Sequence, residues 1–257
     1  MRAWINGVGW MTPAGCGMGR AGSEQPLCAG QLDIPTRAQV FEEPDKRFGR
    51  LDPFSRVGLA AVAFCLRDAG EEHWTEKRPI GIVASSRYGC LGTDVAYLET
   101  MLPDGGKLAS PNLFAYTLPN CFLGEAALRF GLTGNSLLLN QKDDNGLCAV
   151  RFAMEELSWS GQQGVLAGFC DLPFSEMGLE VDFPGSLFFL LGREPDARGV
   201  TYGELRLSGD QLFFKDKVVP DFSALVKACL GAHFINRFPG NKFQGKPACR
   251  DKEAVKR

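Results

Sequence analysis

The side chains able to do nucleophilic, acid–base or metal chemistry are few, and their spacing excludes several chemistries at once. Nine cysteines are scattered through the 257 residues without a C-x-x-C pair, which argues against a disulfide framework and against a zinc site. Most stand in apolar surroundings, as Cys65 does in Val62-Ala63-Phe64-Cys65-Leu66, and read as small buried hydrophobes; Cys121 and Cys170 read as packing residues too. Two histidines, His73 and His233, leave little room for a His-based metal centre or a catalytic triad. Gly15, Gly17 and Gly19 miss the G-x-G-x-x-G dinucleotide fingerprint because Arg20 stands at its sixth position. No cofactor and no metal is expected.

The elements that must position this chemistry alternate. Residues 3–8 read as a strand ending in glycines, and 53–69 as a helix with Val57, Ala60, Ala61, Phe64 and Cys65 at i, i+3, i+4 spacing. Asp52 before Pro53 is an N-cap followed by proline at the first helical position, and Gly70 is a stop. Strands follow at 80–85, 136–140, 164–169 and 186–191, with helices at 93–101, 119–130 and 146–159; 204–214 holds one more strand. This order predicts an α/β fold with a mostly parallel mixed sheet covered by helices on both faces. The division expected is a domain over 1–215, then a 216–257 segment with a helix at 221–234 and a mobile basic tail from Asn241.

An apolar share of 45%, a charged share of 23% and a net charge of −2 are those of an ordinary globular protein with no global basic footprint for nucleic acid. The opening residues lack a signal-type apolar stretch, and Leu187-Phe188-Phe189-Leu190-Leu191 is too short to span a bilayer. A soluble cytoplasmic protein is expected.

Four stretches, in order, resemble the N-terminal half of the β-ketoacyl synthase family within the thiolase-like fold. They are Trp4-Ile5-Asn6-Gly7-Val8-Gly9-Trp10-Met11-Thr12-Pro13-Ala14-Gly15; Leu51-Asp52-Pro53-Phe54-Ser55-Arg56 running to Arg67-Asp68-Ala69-Gly70; Ser110-Pro111-Asn112-Leu113-Phe114 with Thr117-Leu118-Pro119-Asn120 and Arg129-Phe130-Gly131-Leu132-Thr133-Gly134; and Val165-Leu166-Ala167-Gly168-Phe169-Cys170-Asp171. The likeness covers about residues 1–212. In the helix from Pro119, the small residues Gly124, Ala126 and Ala127 allow close approach to a neighbouring backbone or a ligand.

The resemblance implies a strand leading through a sharp turn to a nucleophilic cysteine at a helix start, where amides and dipole favour the thiolate. Without gaps, Asp143 takes that position, followed by Asp144, Asn145 and Gly146. An aspartate is a good N-cap but a poor acyl acceptor, because the mixed anhydride lies far uphill of a thioester. Cys148 is placed more than one turn inside the helix, an improbable substitute, and none of the nine cysteines is expected at that helix N-terminus. The family's second half, with its two histidines, has no counterpart after residue 215. The resemblance therefore implies a non-catalytic subunit of the chain-length-factor kind. Such a subunit pairs with an active synthase, or with itself as a dimer, and helps shape an acyl site in fatty-acid, polyketide or aryl-polyene synthesis. Acyl carrier protein thioesters are the implied contacts. The alternatives are an acyl-thioester decarboxylase or hydrolase using Asp143 or Asp144 as a base, and a solitary acyl or coenzyme A binding module. A lone half also leaves a helical layer needing cover, which either a partner or the chain's own 221–234 segment supplies.

Overall fold

The computed structural model describes residues 1–21, 26–43, 45–141, 146–196 and 201–237, and of residues 232–237 the backbone alone. Asp143, Asp144, the side chain of His233 and the basic tail lie outside the described residues. The elements in chain order are β1 (Arg2–Thr12), β2 (Gly15–Met18), α1 (Arg37–Val40), α2 (Pro53–Asp68), β3 (Ile80–Ser86), α3 (Leu91–Met101), α4 (Pro111–Phe114), α5 (Cys121–Phe130), β4 (Ser136–Asn140), α6 (Leu147–Trp159), β5 (Gly164–Asp171), β6 (Gly185–Gly192), β7 (Gly203–Ser208), β8 (Gln211–Phe214), β9 (Lys217–Val218) and α7 (Phe222–Arg237).

The strands form one mixed sheet in the order β4-β3-β5-β6-β1-β7-β8-β9, with β2 paired to β1. The expected α/β class holds. The expected parallel character is confined to strand direction in the central part. There β1, β3, β4 and β5 run the same way, but β6 lies between β5 and β1 and runs against both. Only β3·β4 and β3·β5 are parallel ladders among the described strands. The segment expected to hold one strand holds two, because Gly209 at φ +55° turns β7 back as β8.

The apolar strands are covered on both faces. In β6, Leu187, Phe189 and Leu191 point to one core while Phe188 and Leu190 point to the other; period two with no polar face needs cover above and below. One core gathers α6 and α7 with the β7–β8 hairpin. The other gathers α2 and α5. A bulge in β1 between Ile5 and Gly7 shifts its register, so Ala3, Ile5, Val8 and Trp10 all reach the first core. Gly7 and Gly9 then face α2. A Cβ on Gly9 would sit 2.0 Å from the Cys65 amide nitrogen, and one on Gly7 2.7 Å from the Cys65 carbonyl. Only glycine lets helix and strand backbones meet there. A similar approach joins α2 to α5, but at Gly58, whose Cβ would lie 2.6 Å from the Phe122 ring. Gly124, singled out for close packing, borders open space instead.

The helical layer is covered from within the chain. Leu147, Val150, Met154 and Leu157 of α6 are all buried, and α7 brings Phe222, Leu225, Val226 and Cys229 into the same core. The Phe222 ring meets Phe169 at 5.3 Å and Phe189 at 5.4 Å between centroids. Replacing Phe222 with alanine therefore removes the anchor of α7, and Phe222→Ala should cost about 3–5 kcal/mol. A fall in the urea midpoint with little change in slope checks this; an unchanged midpoint would mean that α7 does not seal that core.

Candidate functional site at the carboxyl ends of the central strands

Parallel strands with helices on both faces place ligand sites beyond their carboxyl ends. Here those ends are Ser85 and Ser86 of β3, Asn140 of β4 and Asp171 of β5. The chain leaving β4 is bound to β3, since the Gln141 amide donates to the Ser86 carbonyl at 3.0 Å. Asp171 is only 5% exposed. Its Oδ1 accepts from Ser86 Oγ at 3.0 Å and from the Arg87 amide at 2.6 Å, and the Gly89 amide donates to Ser86 Oγ at 2.8 Å. Burial pushes the Asp171 carboxyl up to about 6, against the Arg87 amide, the Ser86 hydroxyl and the Arg87 charge, which lower it. At the rim, Arg87 pairs with Asp182 at 3.5 Å.

A mostly apolar cleft of about 300 Å³ opens beside this turn, lined among others by Phe54, Tyr88, Cys90, Thr93, Leu113 and Phe174. Its floor is polar. Thr93 Oγ1 donates to Asp52 Oδ2 at 2.6 Å, while Asp52 Oδ1 caps α2 by accepting from the Ser55 amide at 3.1 Å. The cap and the Pro53 start are those expected from the sequence. The arrangement suits an apolar group lying against a backbone-lined wall.

Cys65 and Cys170 are buried as expected, but Cys148 is placed differently. The described part of α6 opens at Leu147, with Gly146 at φ 98° as its N-cap. Cys148 is therefore the second residue of the helix, within its first turn and half-buried. A left-handed glycine sets that start, which a gapless register against the family pattern does not see. Cys121 opens α5 and Cys90 is the N-cap residue of α3, so helix N-termini do hold cysteines. Position alone does not activate them. Burial, then Asp94 and Asp52, pushes the Cys90 thiol up to about 12. Burial is also the main cause that raises Cys121, and Cys170 is raised well above the ordinary range first by burial and then by Asp171. In the sequence Asp171 is only the last residue of the 165–171 stretch, two residues past the strand expected at 164–169. The signal available was a charge directly after the apolar run Val165-Leu166-Ala167-Gly168-Phe169-Cys170.

Among the described residues no cluster of three or more His, Cys, Asp or Glu side chains is arranged to hold a metal ion, and no helix is long and apolar enough to cross a membrane.

Residues 28–181 match the family model described as β-ketoacyl synthase, N-terminal domain. A Streptomyces virginiae protein named as a polyketide β-ketoacyl synthase is 27% identical over 212 residues, which take in 70% of this chain and 49% of that protein. The chain thus spans about half the length of this curated relative. Among solved structures, an acyl carrier protein of a type II polyketide synthase in complex with its ketosynthase bound to the hexaketide matches with a TM-score of 0.63. That match has 20% identity and covers 80% of this chain and 67% of the other. The ishigamide ketosynthase/chain length factor also matches at 0.63, with 13% identity, covering 79% of this chain and 62% of the other. At these identities the structural likeness establishes the fold.

Two outcomes follow from the site. Since the Asp171 carboxyl rises from an ordinary 3.8 to about 6 on folding, its contribution is fully present below the lower value and is lost as pH rises through the upper. The stability of the wild type relative to Asp171→Asn should therefore fall between pH 4 and pH 7, by up to about 3 kcal/mol. Urea titrations of both proteins at several pH values check this, and parallel pH curves would contradict it. In native protein at neutral pH, iodoacetamide should alkylate Cys90 far more slowly than a free thiol; peptide mapping that found Cys90 the fastest cysteine would contradict the burial argument.

Proposed function

The chain belongs to the β-ketoacyl synthase family through that family's N-terminal domain, and on this premise we propose that it is a subunit without condensing activity of its own. In this reading it pairs with an active ketosynthase, in the manner of a chain length factor, and helps shape an acyl site in polyketide or fatty-acid synthesis. The observation that carries the reading is the connection from β4 to α6. Residues 141–146 read Gln-Lys-Asp-Asp-Asn-Gly, with no thiol where the family turn presents its nucleophile. A carboxylate there accepts an acyl group poorly.

Two surface features support a partner. Strand β4 pairs with β3 on one side only among the described strands, and its Leu137, Leu138 and Leu139 are only half-buried. An apolar edge strand without charge or proline is a ready template for another chain. Leu98, Leu102, Leu108, Phe114 and Leu118, on and between α3 and α5, are exposed, and exposed apolar residues gathered in one stretch commonly mark an interface. The partner in this reading is an active ketosynthase or a second copy, and the acyl groups arrive on acyl carrier protein.

Purified chain incubated with acyl- and malonyl-loaded acyl carrier protein should give no β-ketoacyl product. Mixed with an active ketosynthase from the same cell, it should form a stable complex by light scattering and change the length of the product. Product from the chain alone, abolished by Cys148→Ala, would overturn the reading and make Cys148 the nucleophile. Thioester cleavage without condensation would instead favour a decarboxylase or hydrolase.

A further inference from the structure

Asp171 closes a strand whose preceding residues are all buried, and it carries a carboxylate into that environment at 5% exposure. Ending a strand does not require this, since a neutral side chain would do so with less desolvation. The compensation lies in what the carboxylate holds. It accepts from Ser86 Oγ and the Arg87 amide, both through Oδ1. The Gly89 amide closes on the same Ser86 hydroxyl. Ser86, Arg87 and Gly89 are thus fastened, directly or through one hydroxyl, to a single side chain. The same turn has two other edges. Tyr88, Gly89 and Cys90 form a wall of the apolar cleft, and the Ser86 carbonyl takes the Gln141 amide where the chain leaves β4.

We propose that Asp171 is the positioning residue of this site, setting the 86–90 turn so that the cleft wall and the end of β4 keep one fixed relation. Two donors converge on its Oδ1, and a carboxylate oxygen, an acceptor only, has the lone pairs to take both. Charge-assisted bonds also hold the turn more tightly than neutral ones. The role does not depend on whether the chain condenses, pairs or only binds, and it is read from the turn itself.

Cys90 reports on that turn because it is 3% exposed at its end, while Cys65 and Cys229, buried in the two opposite cores, report on the fold as a whole. Alkylation rates at all three, followed by peptide mass spectrometry on the full chain, test the proposal. Asp171→Ala should speed Cys90 by about tenfold or more with Cys65 and Cys229 unchanged. Asp171→Asn, which keeps one oxygen for Ser86 and Arg87, should speed it by less than about threefold. Should the alanine variant fail to fold, Ser86→Ala serves in its place, and it should loosen Cys90 by about threefold or more through the lost Gly89 tie. An unchanged Cys90, a rise only in step with Cys65 and Cys229, or an asparagine variant as loose as the alanine one would each overturn the proposal.

Discussion

Asp68 ends α2 with no exposed surface, and three donors from distant parts of the chain converge on its carboxylate. The Val8 amide of β1 reaches it at 2.9 Å, the Arg20 amide after β2 at 2.7 Å, and the Tyr202 hydroxyl ahead of β7 at 2.7 Å. Burial raises this carboxyl above its ordinary value, while the Tyr202, Arg20 and Val8 bonds and the Arg20 charge pull it back. The penalty of a buried charge is thereby turned into a geometric requirement, because removing any one donor leaves the charge undercompensated. The requirement reaches its neighbours. Gly19 has to be glycine, since a Cβ there would lie 2.0 Å from the Tyr202 hydroxyl oxygen, and α2 is held at the distance at which Gly7 and Gly9 admit it. The central strand, the longest-buried helix and the start of the terminal hairpin are aligned by one side chain.

Much of this frame was legible because it is written in periodicity. The helix at α2 and the strands at β3, β4, β5 and β6 carry either the 3.6-residue or the two-sided apolar pattern, and their bounds differ from the expected ones by a residue or two. Elements without such a pattern escaped. β2 is Gly-Cys-Gly-Met, which bears no alternation and exists because β1 offers it an edge. The insertion of β6 against its neighbours is a matter of topology that no local pattern encodes. The site expected at Asp143 lies outside the described residues, and the turn at Asp171 carried no expectation of its own. The turn holding Asp171 is built from backbone amides, which every residue has, so its geometry leaves almost no trace in residue identity. The apolar pattern put the start of α6 at 146, one residue from the observed Leu147, whereas the register that set Asp143 at the helix start could not supply the left-handed Gly146 that caps it.

The electrostatics of the site run against thiol chemistry. Cys90 and Cys121 occupy the amino ends of helices, where the dipole favours a thiolate, yet both are raised, with burial the leading cause. Asp52 and Asp94 add negative charge beside Cys90. The Asp52 carboxylate that caps α2 thus also helps to suppress the Cys90 thiol.

The position of β1 inside the sheet has a consequence in time. Its partners β6 and β7 begin at Gly185 and Gly203, and its first amine donates to the Leu207 carbonyl at 2.9 Å. A chain made at about 5–20 residues per second leaves this strand without either neighbour for on the order of ten seconds. Sheets closed by contacts so distant in sequence also fold slowly. Through that interval the companions for β1 are β2, paired along its last four residues, and α2, which emerges after it and meets bare backbone at Gly7 and Gly9. The glycine stripe therefore serves the nascent chain as well as the finished one. It lets a strand–helix pair form early, with the face of β1 opposite α2 left waiting for the last third of the protein to arrive.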